Sequence, residues 1–172
     1  MLTKNENISY LESCKICGNN KLKEVIKLNE QYISATFVKS NKENNLKKIR
    51  STLNLLLCVQ NGNLNNCGHL QLREIINPNL LYENYFYRSA TSDTMRKNLK
   101  NVVESVLEIA KPNPQDIVVD IGSNDCTLLN YYQKQLQLVG FEPAKNIKFI
   151  DEGKNIKIFK NYFNAQNFKE SF

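Results

Sequence analysis

Four apolar residues surround a single carboxylate in Ile117-Val118-Val119-Asp120-Ile121, and the run then meets Gly122. A short apolar run bounded by a turn signal reads as a buried strand. A second run, Leu138-Val139-Gly140-Phe141, closes on Glu142, 22 residues after Asp120. A possible third lies near Ile156 to Phe159. Between the first two, helical periodicity begins near Thr127, so the pattern predicts strand, glycine turn, helix and strand. That order is the first nucleotide-gripping unit of a doubly wound sheet. Gly122 lets backbone approach a ligand without a Cβ in the way. Glu142 can accept hydrogen bonds from both hydroxyls of a ribose, and the first amides of the predicted helix would face the same crevice.

Upstream the periodicity changes. Met95, Leu99, Val102, Val103, Val106, Leu107 and Ala110 recur at helical spacings, which predicts a helix from Ser92 to Ala110 with its apolar stripe in the core. Ser92 or Thr91 can cap it, Asp93 suits its first turn and Pro112 stops it. Residues 82–89 are dense in aromatics. Lys21 to Leu28 and Ser51 to Val59 alternate as strands of a small sheet, with another short strand from His69 to Leu72. Asn41 to Arg50 reads as a polar, mobile connection, and Asn77-Pro78 as the end of the first unit. The expected organisation is a zinc-binding domain over 1–78, a helical connection over 79–110 and a partial Rossmann-like domain over 111–172. The fold class is α/β.

The zinc expectation comes from the cysteines. Cys14-Lys15-Ile16-Cys17-Gly18 is a C-x2-C knuckle followed by glycine, and Cys58 and Cys67-Gly68 form a second pair around an eight-residue insert. Two such pairs can aim four sulfurs at one tetrahedral ion, a closed and therefore structural Zn²⁺ site. Such a site would supply stability that a unit of about 70 residues otherwise lacks. His69, the sole histidine, stands two residues past Cys67 and could replace Cys58, although a strand starting there would carry it away. Four independent reduced cysteines are the plainer alternative.

Composition narrows the classes. The chain has 172 residues with an apolar fraction of 41%, but no apolar run of membrane-spanning length. Its polar start, Met1 to Asn7, does not resemble a signal peptide. The expected location is cytoplasmic, where cysteines stay reduced, with no membrane partner. The net charge of +6 comes mostly from dispersed lysines, with four arginines among 23 basic residues. Abundant Asn beside Lys reads as codon bias, so nucleic acid is not an expected partner. The turn after Asp120 lacks the three glycines that cradle a pyrophosphate. S-adenosylmethionine, which carries no phosphate, suits it better than a dinucleotide. A ligand-free strand-turn-helix remains the alternative at this point.

Five motifs then follow one another. They are Cys-x2-Cys-Gly from Cys14; Cys-Gly-x-x-Gln-Leu from Cys67; Tyr-x-Tyr-Arg-Ser-x-Thr-Ser-x-Thr-Met-Arg from Tyr85; Asp-Ile-Gly-Ser-Asn-Asp-x-Thr-Leu-Leu from Asp120; and Phe-Glu-Pro-Ala from Phe141. In this order, from Cys14 to Phe163, the chain resembles the N-terminal part of the sugar C-methyltransferases. These are class I S-adenosylmethionine-dependent enzymes with an N-terminal zinc-binding domain, acting on nucleotide-linked 4-keto-deoxyhexoses. The resemblance implies Cys14, Cys17, Cys58 and Cys67 as zinc ligands, with an apolar residue usual where His69 stands. It implies Asp120, Gly122, Ser123 and Asn124 as the cofactor loop, Glu142 as the ribose acid, and Tyr87, Arg88 and Ser89 as a segment along the cofactor and sugar cleft. Packing alone is the other reading of those aromatics. A buried Arg88 would need a partner.

Two departures qualify the resemblance. The family usually has Gly where Cys126 stands, at the expected first turn of the helix. The family's catalytic positions and substrate domain correspond to sequence beyond Phe172. The expectation is therefore a truncated or split methyltransferase holding the cofactor half, inactive alone, with a second polypeptide as a candidate partner beside the nucleotide-sugar substrate. The alternative is a non-catalytic zinc-containing binding or interaction module of the same descent.

Overall fold

The computed structural model describes residues 7–34, 49–59 and 67–170. The polar connection expected at 41–50 lies almost wholly outside the described residues, as does all but Val59 of the insert between Cys58 and Cys67. The chain forms two units, Met1–Leu81 and Tyr82–Phe172. It is mixed α/β, with a four-cysteine cluster in the first unit and a small parallel sheet in the second. No helix among the described residues is long and apolar enough to cross a membrane.

The first unit is built from antiparallel strands. Strands β2 (Leu22–Tyr32), β3 (Arg50–Cys58) and β4 (Leu70–Leu72) form one sheet in that order. A separate ribbon pairs β1 (Ile8–Tyr10) with β5 (Glu74–Ile76). The alternation expected for 51–59 is visible in burial: Asn54, Leu56 and Cys58 point inward from β3. Glu74 anchors the ribbon to that face. Its buried carboxylate accepts from Thr52 Oγ1 at 2.7 Å and from the Asn54 amide at 2.9 Å, so neither oxygen is stranded. Helix α1 (Pro78–Tyr82) begins at Pro78, where a missing amide proton costs nothing.

In the second unit, helix α2 (Asp93–Ala110) follows the periodicity closely. Ser92 Oγ accepts from the Met95 amide at 3.3 Å, and Lys111 ends the helix in the left-handed conformation at φ 45°. The expectation of a buried stripe needs correction. Val103 is buried, but Val102 and Val106 are half-exposed. Helical spacing reveals which positions share a face; it does not say that the described residues cover that face.

Strands β6 (Ile117–Ile121), β7 (Gln137–Phe141) and β8 (Lys157–Phe159) form a parallel sheet in that order, with Asp120 opposite Gly140 and Ile121 opposite Phe141. Leu129, Leu136, Leu138, Tyr132 and Cys126 pack with Val103 as its core. The helix expected from Thr127 does not form. A single 3-10 turn, Leu129–Tyr131, stands in its place. The cause is local. Asn124 and Cys126 both take left-handed φ, at 50° and 68°. Asp125 Oδ1 binds the Thr127 amide and hydroxyl, holding a turn that competes with a helix start. Cys126 therefore occupies a left-handed turn, not a helical one, which is a conformation that favours glycine. The expected contribution of helix amides to the crevice is withdrawn with the helix.

Candidate functional site

In the first unit, the knuckle at Cys14 closes tightly. The Gly18 amide donates to Cys14 O at 2.9 Å, and Gly18 and Gly68 take φ of 73° and 65°. These two turns deliver Cys14, Cys17, Cys58 and Cys67 with sulfurs all within 4.8 Å of one another. Cys14 and Cys67 are 3.5 Å apart, and Cys17 and Cys58 3.6 Å. A tetrahedral ion with Zn–S bonds near 2.3 Å requires sulfur separations of about 3.8 Å, so the cage is the right size. All four are free cysteines, not disulfides.

Surrounding groups prepare the sulfurs for a cation. The backbone amides of Cys17 and Ile16 hold the Cys14 thiol down at about 6, against burial. The Asn19 amide lowers Cys17, and the Asn19 side chain reaches Cys58 Sγ at 3.6 Å. Cys67 goes the other way. The His69 amide favours its thiolate, yet burial and the three neighbouring thiols push it up to about 12. Four sulfurs this close compete for negative charge, and a divalent ion among them relieves that competition. His69 serves through its backbone: its carbonyl accepts from the Cys58 amide at 3.0 Å. Its ring is not part of the ligand cluster.

In the second unit, a cavity of about 310 Å³ opens at the C-terminal ends of β6 and β7. Ile121, Gly122, Asn124, Phe141, Glu142 and Pro143 line it, with Tyr82, Tyr85, Tyr162 and Phe163. The carboxyl ends of the strands are the side on which open α/β sheets hold their ligands. The edge-on contact of Phe141 with Phe163, centroids 5.2 Å apart, sets one wall. Gly122 has a φ of 77°, so a side chain would strain the turn even though a Cβ would meet open space.

Glu142 is the polar centre of the cavity and is only 5% exposed. One oxygen accepts from the Asn124 amide at 2.9 Å and the other from the Ala144 amide at 2.8 Å. Each carboxylate oxygen keeps a further acceptor direction. The left-handed turn at Asn124 aims its amide at Glu142. The Asn124 side chain meanwhile accepts from the Ser89 amide at 3.0 Å and donates to Tyr87 O at 3.1 Å.

The other expected residues have different places. Ser123 is buried and stacked against β7, where a Cβ on Gly140 would come within 2.6 Å of its Oγ. Asp120 does not line the cavity; burial, and then the charge of Glu142, push its carboxyl up to about 6. Tyr87, Arg88 and Ser89 also lie off the wall, in a strap over residues 82–91. Arg88 Nη2 donates to Asn146 O at 2.6 Å, so its partner is a carbonyl, with no carboxylate needed. Tyr82, Tyr85, Ile121, Phe141, Pro143, Tyr162 and Phe163 were not singled out from the sequence. Aromatic density at 82–89 was the available signal for the first two.

The first unit thus carries a four-thiol cage suited to zinc, and the second a crevice at the ends of a small parallel sheet. Residues 14–82 match the methyltransferase family model described as "Putative zinc binding domain". The chain is also a distant relative of the C-methyltransferase NovU of Streptomyces niveus, 20% identical over 157 residues. That alignment takes in 91% of this chain and 36% of NovU, so the chain spans about a third of that relative's length.

Proposed function

We propose that this chain is the zinc-bearing, S-adenosylmethionine-binding part of a C-methyltransferase acting on a nucleotide-linked keto-deoxysugar. The observation that carries the reading is the cavity. One buried acid, doubly anchored by backbone amides, sits between aromatic walls at the strand ends, and no Lys or Arg among the described residues lines it. Its volume falls at the lower end of the roughly 300–1,000 Å³ usual for small-molecule sites. The chemistry of the lining suits a nucleoside. Tyr82, Tyr85, Tyr162 and Phe163 offer aromatic surface to a base, while Glu142 can accept from a vicinal diol. A polyphosphate would find no counter-charge among the described lining residues and would face Glu142 itself.

Bound there, the cofactor would supply an electrophilic methyl group on a sulfonium. The chain's own residues bind and orient. Glu142 and Asn124 fix the ribose side, Gly122 permits close approach of the turn, and the aromatic walls exclude water. The four thiolates hold Zn²⁺ as a structural ion, because a closed tetrahedral set leaves no position for substrate. Resemblance to NovU supports methyl transfer to carbon; the keto-sugar substrate rests on the sugar C-methyltransferase motifs.

A second reading, a binding module of the same descent that works with another polypeptide, is favoured by one observation. Among the described residues β6 is an edge strand, and its Ile117 and Ile121 stand exposed. Apolar groups beside an unpaired strand edge suit further chain packing there. Photo-crosslinking with labelled S-adenosylmethionine tests the first reading by location. Label should fall in peptides containing Tyr82–Tyr87 or Tyr162–Phe163, and should be lost with excess S-adenosylhomocysteine. Label spread evenly over the chain would contradict it.

A further inference from the structure

Tyr85 forms part of the cavity wall, yet it belongs to an irregular strap with no strand or helix of its own to hold it. Its backbone is gripped chiefly by one side chain, with Arg88 Nη1 a longer donor to its carbonyl at 3.5 Å. Asn146 Oδ1 accepts from the Tyr85 amide at 2.9 Å, and Asn146 Nδ2 donates to the Tyr85 carbonyl at 2.9 Å. One carboxamide thus satisfies both polar groups of one residue, as a neighbouring strand would. Around it, the Lys145 amide donates to Glu83 O at 2.9 Å, and Arg88 reaches back to Asn146 O at 2.6 Å. Lys145 and Glu83 are also ion-paired. The anchors from Asn124 and Asp125 act further along, at residues 87 to 90.

We propose that Asn146 is a positioning residue for the ligand pocket, acting through Tyr85 as a surrogate strand that sets where the aromatic wall stands. Asn146 is itself exposed and does not line the cavity, so it contributes without touching the ligand. The inference rests on the nucleoside reading of that cavity. It adds a specificity determinant to that site: the gap between Tyr85 and the β6–β7 edge, and hence the fit of a flat base, depends on a carboxamide outside the pocket. Alanine at 146 removes both bonds. Aspartate keeps an acceptor for the Tyr85 amide but has no donor for the carbonyl.

The chain contains no tryptophan, so Tyr85→Trp installs a single reporter in the wall. Adding Asn146→Ala to that variant should shift the Trp emission to the red and lower its anisotropy, with zinc content and far-UV circular dichroism unchanged. Identical emission with and without Asn146 overturns the proposal, and this readout needs no ligand. In calorimetry with S-adenosylhomocysteine, Asn146→Ala should weaken affinity roughly 5- to 30-fold, the scale of one or two neutral hydrogen bonds, with Asn146→Asp in between. In a Tyr85→Ala background the same change should have no further effect. Wild-type chain that binds no S-adenosylhomocysteine overturns the nucleoside reading. Equal binding by wild type and Asn146→Ala overturns the role of Asn146 alone.

Discussion

Asp120→Asn should stabilise the second unit at neutral pH, and by an amount that disappears on acidification. The Asp120 carboxyl is raised from 3.8 to about 6, by burial first and by Glu142 second. No hydrogen bond compensates its charge among the described residues. An acid whose folded value lies above its unfolded value binds its proton more tightly when folded, so stability is highest at low pH and falls as pH rises through about 4 to 6. A shift of roughly two units corresponds to about 3 kcal/mol lost by pH 7.5, an upper figure because the group is partly exposed. At pH 5 about half of that loss has developed, so the stabilisation by Asn should shrink by roughly 1–1.5 kcal/mol between pH 7.5 and pH 5. Urea denaturation of both proteins at the two pH values, followed by circular dichroism, measures it. Taking the difference between variants cancels titration of the cysteines. A variant equally or less stable at pH 7.5, or a gain independent of pH, would refute the reasoning.

Purified without added metal, the chain should carry close to one zinc by elemental analysis, and Cys14→Ser should lose it and unfold the first unit. Full zinc and unchanged melting in Cys14→Ser would reject the four-thiol site. Gly140→Ala places a methyl group 2.6 Å from Ser123 Oγ, inside contact distance. It should cost about 1–3 kcal/mol, as overpacking does, and Ser123→Gly should recover part of the loss in a thermal melt. A neutral Gly140→Ala would mean that the Ser123 turn is free to move.

The strands were legible because the chain repeats simple patterns. Alternation marked β3, and short apolar runs, one of them carrying Asp120, marked β6 and β7. Cap and stop residues marked α2 within a residue of its ends. The cysteine cage was legible from two Cys-Gly turns alone, and its geometry follows from glycine's access to positive φ. The missing helix after β6 was not legible, because Thr127 to Leu129 looks helical until the left-handed turns at Asn124 and Cys126 are known. Exposure of Val102 and Val106 was hidden for a different reason: periodicity records a face, and burial depends on what lies opposite. The pocket walls formed by Tyr162 and Phe163 come from chain following β8, brought to the site by the parallel crossover. Asn146 lies just past the Phe-Glu-Pro-Ala motif, and nothing in its type or spacing announces a bidentate grip on Tyr85.

The central claim is that the cavity around Glu142 binds an adenosyl cofactor, and calorimetric titration of the zinc-loaded chain with S-adenosylhomocysteine tests it most directly. The account predicts saturable binding of one molecule per chain. Replacing Glu142 by Ala should weaken it by roughly 1.5–3 kcal/mol, the range for hydrogen bonds to a charged group. ATP, whose phosphates meet no cation among the described lining residues, should not compete. Absence of heat in a folded, zinc-replete sample would contradict the claim, as would binding that the Glu142→Ala chain retains in full.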